Sequence, residues 1–148
     1  RATGFAAMVR ELTRKMGLEE RVRFSGECLP DRLDDLYHHA SLFVLPSHYE
    51  GYGMALTDAL ARGLPVVSTT GGAIPYTVPR DASVLVPPGD YPALAEALRR
   101  LLAEGTGARR RTELACAARR HAQVLPDWTQ ATRAFADAVL ELTPDGDV

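Results

Sequence analysis

Apolar residues recur along this chain with two different periods, and the changes of period mark the elements. Phe5, Met8, Val9, Leu12 and Met16 follow an i, i+3, i+4, i+7 rhythm, which predicts an amphipathic helix from Gly4 to Met16 that stops at Gly17. Arg21–Ser25 alternates and ends at Gly26, the pattern of a short strand. Pro30 and Asp31 open a second predicted helix, with Asp34 and Asp35 near its start and Leu33, Leu36, Tyr37 and Ala40 on its buried side. Leu42–Leu45, followed by Pro46, is apolar on both faces, as in a strand buried within a parallel sheet. A helix from Gly53 to Arg62, stopped by Gly63, leads into the apolar strand Pro65–Ser68. Strand, helix and strand together have the length of a βαβ unit with its right-handed crossover. Gly71 and Gly72 turn the chain, and Ser83–Val86 makes a last short strand closed by Pro87, Pro88 and Gly89.

The rest is helical. Tyr91, Leu94, Ala95, Leu98, Leu101 and Leu102 stripe one helix, with Asp90 as its N-cap and Gly105 as its stop. Arg109–Val124 forms the next, with Arg109–Arg111 as a solvated basic face. Trp128, Ala131, Thr132, Phe135, Ala138, Val139 and Leu142 stripe the last. Trp128 and the Tyr91 stripe read as core, residues 1–142 as one partial domain, and residues 143–148 as a frayed polar tail. Alternating helices and strands followed by helices predict an α/β, Rossmann-like, doubly wound parallel sheet with C-terminal helices. Such domains open with a strand, whereas this chain opens with a helix, so part of the domain is expected upstream of Arg1.

Composition narrows the function classes. The 148 residues are 46% hydrophobic and 24% charged, ordinary globular proportions that exclude bulk disorder. No apolar run approaches the ~20 residues of a membrane span, and Arg1–Leu12 is no signal peptide. A net charge of −2 argues against a nucleic-acid partner held on a basic surface. Cys28 and Cys116 have neither metal-ligand nor disulfide spacing, which fits a reducing, cytoplasmic setting. His38, His39, His48 and His121 lack partner spacing as well, so no metal is expected.

In open α/β sheets, ligands bind beyond the carboxyl ends of the strands. Pro46–Gly53, Ser68–Tyr76 and Pro87–Asp90 are the loops placed there, and the first carries the most chemistry. Gly51 and Gly53 bracket Tyr52, so backbone can approach a ligand, and amides at the following helix start face any anion held there. A diphosphate suits that position. Glu50 would accept hydrogen bonds from something neutral, such as sugar hydroxyls. On spacing alone the loop is equally well a tight strand-to-helix turn, with Glu50 favourably placed near the helix dipole. Asp58 points away from the buried stripe of Leu56 and Leu60, on the side of the loop mouth, and by itself reads as an exposed helix aspartate.

The ordered motifs Phe24-Ser25-Gly26, Phe43–Ser47, Glu50-Gly51-Tyr52-Gly53, Ala59–Pro65 and Val86–Asp90 resemble the C-terminal half of a GT-B glycosyltransferase. The similarity is to family four, retaining enzymes that use nucleoside-diphosphate sugars, and runs from Gly4 to the Trp128 helix. The resemblance implies that Glu50 contacts the donor sugar and acts as the catalytic carboxylate. Gly51, Tyr52, Gly53 and Met54 would then face the diphosphate, and position 58 would hold the ribose. The family has glutamate at that last position; Asp58 keeps the carboxylate but is one methylene shorter. Backbone after Gly26, including Glu27, would line the nucleobase pocket. A second departure is Tyr76, which follows Ile74 and Pro75 where the family carries glutamate shortly after that pair.

The resemblance also supplies expectations beyond the site. Val22–Ser25, Leu42–Leu45, Pro65–Ser68 and Ser83–Val86 become the third to sixth strands of a 3-2-1-4-5-6 sheet. The first two strands and a loop with an Arg/Lys pair are then expected upstream, along with an N-terminal acceptor domain. The implied function is donor binding in a hexosyl transfer that needs neither cofactor nor metal. The basic run leaves contact with anionic lipid open for the intact enzyme. Alternatives are a sugar-nucleotide 2-epimerase of the same architecture and a non-catalytic sugar-nucleotide binding or interaction module.

Overall fold

Val66 and Val67 decide the layering. In the computed structural model, which describes residues 3–125 and 127–142, both side chains are fully buried. Neighbouring residues of a strand face opposite sides of a sheet, so both sides must be covered. Val66 packs with Tyr37, Leu56, Leu60 and Ile74, whereas Val67 packs with Leu101 and Leu114. The strands are β1 (Phe43–Leu45), β2 (Val66–Thr69) and β3 (Ser83–Val86), all parallel, in the order β1-β2-β3. The helices are α1 (Thr3–Lys15), α2 (Pro30–His39), α3 (Met54–Ala61), α4 (Ile74–Thr77), α5 (Tyr91–Leu102), α6 (Thr106–Ala122) and α7 (Trp128–Leu142). Leu56 and Leu60 of α3 cover one face, and Leu94, Leu98 and Leu101 of α5 cover the other. Helices on both faces of a parallel sheet make the expected doubly wound α/β arrangement.

The described residues up to Asp34 form one compact unit and those from Asp35 onward form another. In the first, α1 ends as its sequence predicts: Gly17 takes a positive φ, and the Leu18 amide returns to the Thr13 carbonyl. Arg10 lies over the Phe24 ring at 5.3 Å. The second unit holds the sheet. There the Asp90 carboxylate accepts from the Ala93 amide, which establishes the predicted N-cap of α5.

Several expectations need correction. Val22–Ser25 forms no strand. A strand exists only through its ladder, and among the described residues nothing pairs with this segment, whatever its alternation. By contrast, β1, β2 and β3 neighbour one another in the order expected of the fourth to sixth strands, and among the described residues β1 pairs only with β2. Leu42–Leu45 is also less enclosed than an apolar run suggests, with Val44 39% exposed on this edge strand. Trp128 is 88% exposed and Tyr91 67%, so neither is core. Periodicity reports that a helix face is apolar, not that this chain covers it; Phe5, Met8, Leu12 and Phe135 are exposed for the same reason. Arg111 departs from the solvated basic face, because its guanidinium donates to the Leu101 carbonyl and ties α6 to the end of α5. The short helix α4 was not expected at all. The predicted tail, 143–148, lies outside the described residues.

The C-terminal end of α6 is latched to the loop before β3. His121 Nε2 lies 2.8 Å from Asp81 Oδ1, and Arg120 donates to Asp81 Oδ2 at 3.4 Å. The His121 hydrogen bond, chiefly, holds the Asp81 carboxyl below the usual aspartate range. A carboxyl with a depressed folded-state pKa adds stability above its unfolded value and loses it as pH falls through the folded one. Urea midpoints should therefore drop on acidification below about pH 4, the ordinary carboxylate range. The drop should be shallower in Asp81→Asn, and parallel curves for the two proteins would show that the latch contributes nothing.

Candidate functional site

Beyond the carboxyl ends of the strands, three loops converge in the second unit. The last rung of the β1–β2 ladder joins Leu45 to Ser68. There side-chain hydroxyls add to the backbone pairing. Ser68 Oγ donates to the Leu45 carbonyl at 2.6 Å, and Thr69 Oγ1 donates to the Ser47 carbonyl at 2.5 Å. Ser47 Oγ in turn donates to Glu50 Oε1 at 2.7 Å, so the half-buried Glu50 side chain has a fixed partner. The Glu50 carbonyl accepts from the Ala73 amide at 2.8 Å, which ties the first loop to the second.

That junction requires glycine at two positions. A Cβ on Gly71 would collide with the His48 carbonyl, whose carbon would lie 2.8 Å away. Gly72 has φ +62, and a Cβ there would run into the Glu50 carbonyl oxygen and lie 2.9 Å from the Glu50 nitrogen. The third loop joins through His48, whose ring carbon Cε1 would be 3.4 Å from a Cβ on Gly89.

Gly53 is buried with φ +82 and supplies the first acceptor of α3, taking the Leu56 amide at 2.8 Å and the Thr57 amide at 3.2 Å. Helix geometry leaves the amides of Met54 and Ala55 without an intrahelical acceptor. Such amides, at the positive end of the helix dipole, suit an anion. Gly51, Tyr52 and Met54 are exposed around this turn, and Tyr49 beside them is exposed as well.

Asp58 stands apart from that cluster. It is exposed on α3, with Arg62 donating to its carbonyl at 3.2 Å and the Arg62 guanidinium 4.0 Å from its carboxylate. The same guanidinium lies 4.6 Å over the Tyr37 ring. Burial pushes the Tyr37 phenol above its ordinary pKa, the Asp58 charge adds to that rise, and Arg62 opposes it. Gly26 and Glu27 belong to the first unit, where Gly26 has φ +66 and Glu27 is exposed. Tyr76 on α4 is 91% exposed. Cys28 is half-buried, its thiol 3.8 Å from the Gly26 carbonyl. Among the described residues no group of three His, Cys, Asp or Glu side chains could hold a metal ion.

Sequence reasoning missed Ser47, Thr69 and the collision-limited Gly71 and Gly72. The only local signal for Ser47 is its closeness in sequence to Glu50, three residues on. Nothing local marks Thr69, whose partner lies twenty-two residues away.

A doubly wound α/β domain with a glycine-bracketed turn into a helix at its strand ends belongs to the class that takes ligands in that crevice. The chain is a member of the glycosyl transferases group 1 family, which it matches over residues 3–104. It is 34% identical over 132 residues to a D-inositol 3-phosphate glycosyltransferase of Streptomyces bingchenggensis, covering 88% of this chain and 28% of that protein. Over 66 residues it is 42% identical to mannosylfructose-phosphate synthase of Agrobacterium fabrum, covering 45% of this chain and 14% of the relative. The structure superposes on sucrose-phosphate synthase from Thermosynechococcus elongatus with a TM-score of 0.78 at 32% identity, covering 90% of this chain and 33% of that one. Anabaena Alr3699/HepE, solved in complex with UDP and glucose, gives a TM-score of 0.83 at 20% identity, with 95% and 37% covered, and so shares the fold. These neighbours have the GT-B fold, and this chain matches the C-terminal part of it. The chain spans 28% to 37% of the length of these relatives, apart from mannosylfructose-phosphate synthase, of which it spans 14%.

Proposed function

We propose that this chain is the donor-binding part of a retaining glycosyltransferase that moves a hexosyl group from a nucleoside-diphosphate sugar to an acceptor. The observation that carries the reading is the locked junction of the Glu50 loop with Gly71 and Gly72 at the strand ends of a family member. It holds one carboxylate beside the start of a helix whose first amides have no intrahelical acceptor. Glu50 orients the donor sugar through its hydroxyls. The amides of Gly51–Met54 donate to the diphosphate and stabilise charge as it leaves, where most of the rate gain in such a transfer arises. Basic side chains and the acceptor domain come from elsewhere in the intact protein. No metal or cofactor enters the scheme, because the helix amides and those cations carry the charge. The relatives' names, all transferases or synthases, favour transfer over epimerisation.

Among the described residues no helix is long and apolar enough to cross a membrane. Two free cysteines favour a cytoplasmic setting, the Streptomyces and Agrobacterium relatives favour a bacterial one, and Arg109 and Arg110 leave room for peripheral contact with anionic lipid. The test is to offer the intact protein UDP-, GDP- and ADP-hexoses with an acceptor panel and determine product anomers. Glycoside of unchanged anomeric configuration supports the reading. An epimerised free sugar, or tight donor binding with no turnover, overturns it.

Asp58 is the ribose ligand in this scheme. Asp58→Ala should raise the donor KM about tenfold, the scale of one hydrogen bond to a charged group, while kcat changes little. Discrimination against 2′-deoxy donors should weaken in parallel. Unchanged KM and unchanged discrimination would leave Asp58 as half of an exposed ion pair with Arg62.

A further inference from the structure

We infer that Thr69 is a positioning residue for Glu50, acting through both loops that frame it; this rests on the donor-binding reading of Glu50 given above. Thr69 is the last residue of β2 and is 1% exposed. A buried hydroxyl is stable only when its donor and acceptor capacities are met. Here they are met by the two loops that build the site. Oγ1 donates to the Ser47 carbonyl at 2.5 Å and accepts from the Gly71 amide at 3.1 Å.

Each contact continues toward the carboxylate. From Ser47 the path is one side-chain bond, Ser47 Oγ to Glu50 Oε1 at 2.7 Å. From Gly71 it runs along the turn to Ala73, whose amide donates to the Glu50 carbonyl at 2.8 Å. The hydroxyl of Thr69 thus joins the segment that orients the Glu50 side chain to the segment that fixes its backbone. Both segments are loops, and a loop of this kind holds its geometry only through such cross-links. The strand beneath is fully buried, so Thr69 transmits the position of the sheet to the carboxylate. Its hydroxyl is engaged by Ser47 and Gly71, so its effect on turnover passes through Ser47 and the Gly71–Ala73 turn.

The test is a double-mutant cycle of four proteins with Thr69→Ser beside it as a fifth, measured in the intact enzyme with the hexose donor identified from the UDP, GDP and ADP panel. Thr69→Val keeps the shape and removes the hydroxyl, and Thr69→Ser keeps the hydroxyl and removes a methyl. The valine variant should lose about a hundredfold in kcat/KM, the scale of a site displaced by about 1 Å, with the loss in kcat. The serine variant should stay within about threefold of wild type. Combined with Glu50→Gln, Thr69→Val should lower activity no further than Glu50→Gln alone, because both changes remove the same oriented carboxylate. Thermal melts of each variant keep loss of fold separate from loss of position. If the valine variant does not fold, Thr69→Ala is read against the same criteria.

Near-wild-type activity in the valine variant, or losses that multiply in the double variant, would overturn the role of Thr69 while leaving the donor-binding reading in place. Full turnover by Glu50→Gln alone would overturn the reading of Glu50, and a role for Thr69 through Glu50 falls with it.

Discussion

Glu50→Gln in the intact enzyme should lower kcat/KM by about a hundredfold or more while leaving the fold unchanged. The expected separation of function from stability comes from the hydrogen bond at its side chain. Ser47 Oγ donates to Glu50 Oε1 at 2.7 Å, and the amide oxygen of glutamine can accept the same bond. The Glu50 carbonyl still takes the Ala73 amide, since that contact belongs to the backbone. Only the negative charge is removed. A charged contact that strengthens in the transition state is worth about 2.7 kcal/mol or more, which is the hundredfold. Kinetics on purified protein, with melting temperatures matched within about 2 °C, decide the matter; equal kcat/KM in the two proteins would return Glu50 to a helix-start carboxylate.

Much of this architecture is legible in the sequence, because its strongest signals are local. The consecutive valines of β2 announce a strand covered on both faces, and the structure covers Val66 and Val67 from opposite sides. Asp90 at the start of α5 and Gly17 at the end of α1 are caps whose chemistry acts within a few residues. Legibility fails where the decisive partner is distant. The alternation of Arg21–Ser25 is real, but a ladder needs a second strand and none of the described residues supplies one. The stripes on α1 and α7 are equally real, yet Leu12 and Phe135 remain exposed, since amphipathicity states a demand for cover and not its source.

The same division runs through the site. The turn from Glu50 to Gly53 can be read from spacing, whereas the grip on it cannot. Thr69 meets Ser47 across the sheet, and Gly72 meets Glu50 across the space between two loops. In one dimension Gly71-Gly72 reads only as a turn. In three dimensions each glycine is the absence of a side chain where another backbone passes, and that is why a loop this exposed can hold a carboxylate still.

Gly72→Ala should therefore damage stability and activity together. At φ +62 any L side chain is strained, which costs about 1–2 kcal/mol. The new Cβ also meets the Glu50 carbonyl oxygen, with the Glu50 nitrogen at 2.9 Å and the Tyr49 ring at 3.0 Å. The nitrogen and oxygen are backbone atoms, fixed in part by the Ala73 amide, so relief requires the whole Glu50 loop to move. Overpacking of this kind adds roughly 1–3 kcal/mol, for a total of about 2–5. A shift of about 1 Å at the carboxylate should cost a further hundredfold in kcat/KM. Gly17→Ala is the matched control: its φ is +65, and nothing lies within 4 Å of the added Cβ. It should show only the cost of the left-handed backbone, with activity intact. Denaturant midpoints and donor kinetics on the two variants separate strain from collision. If Gly72→Ala behaves like Gly17→Ala in both measurements, the two loops are not locked together and the Glu50 carboxylate is held by Ser47 alone.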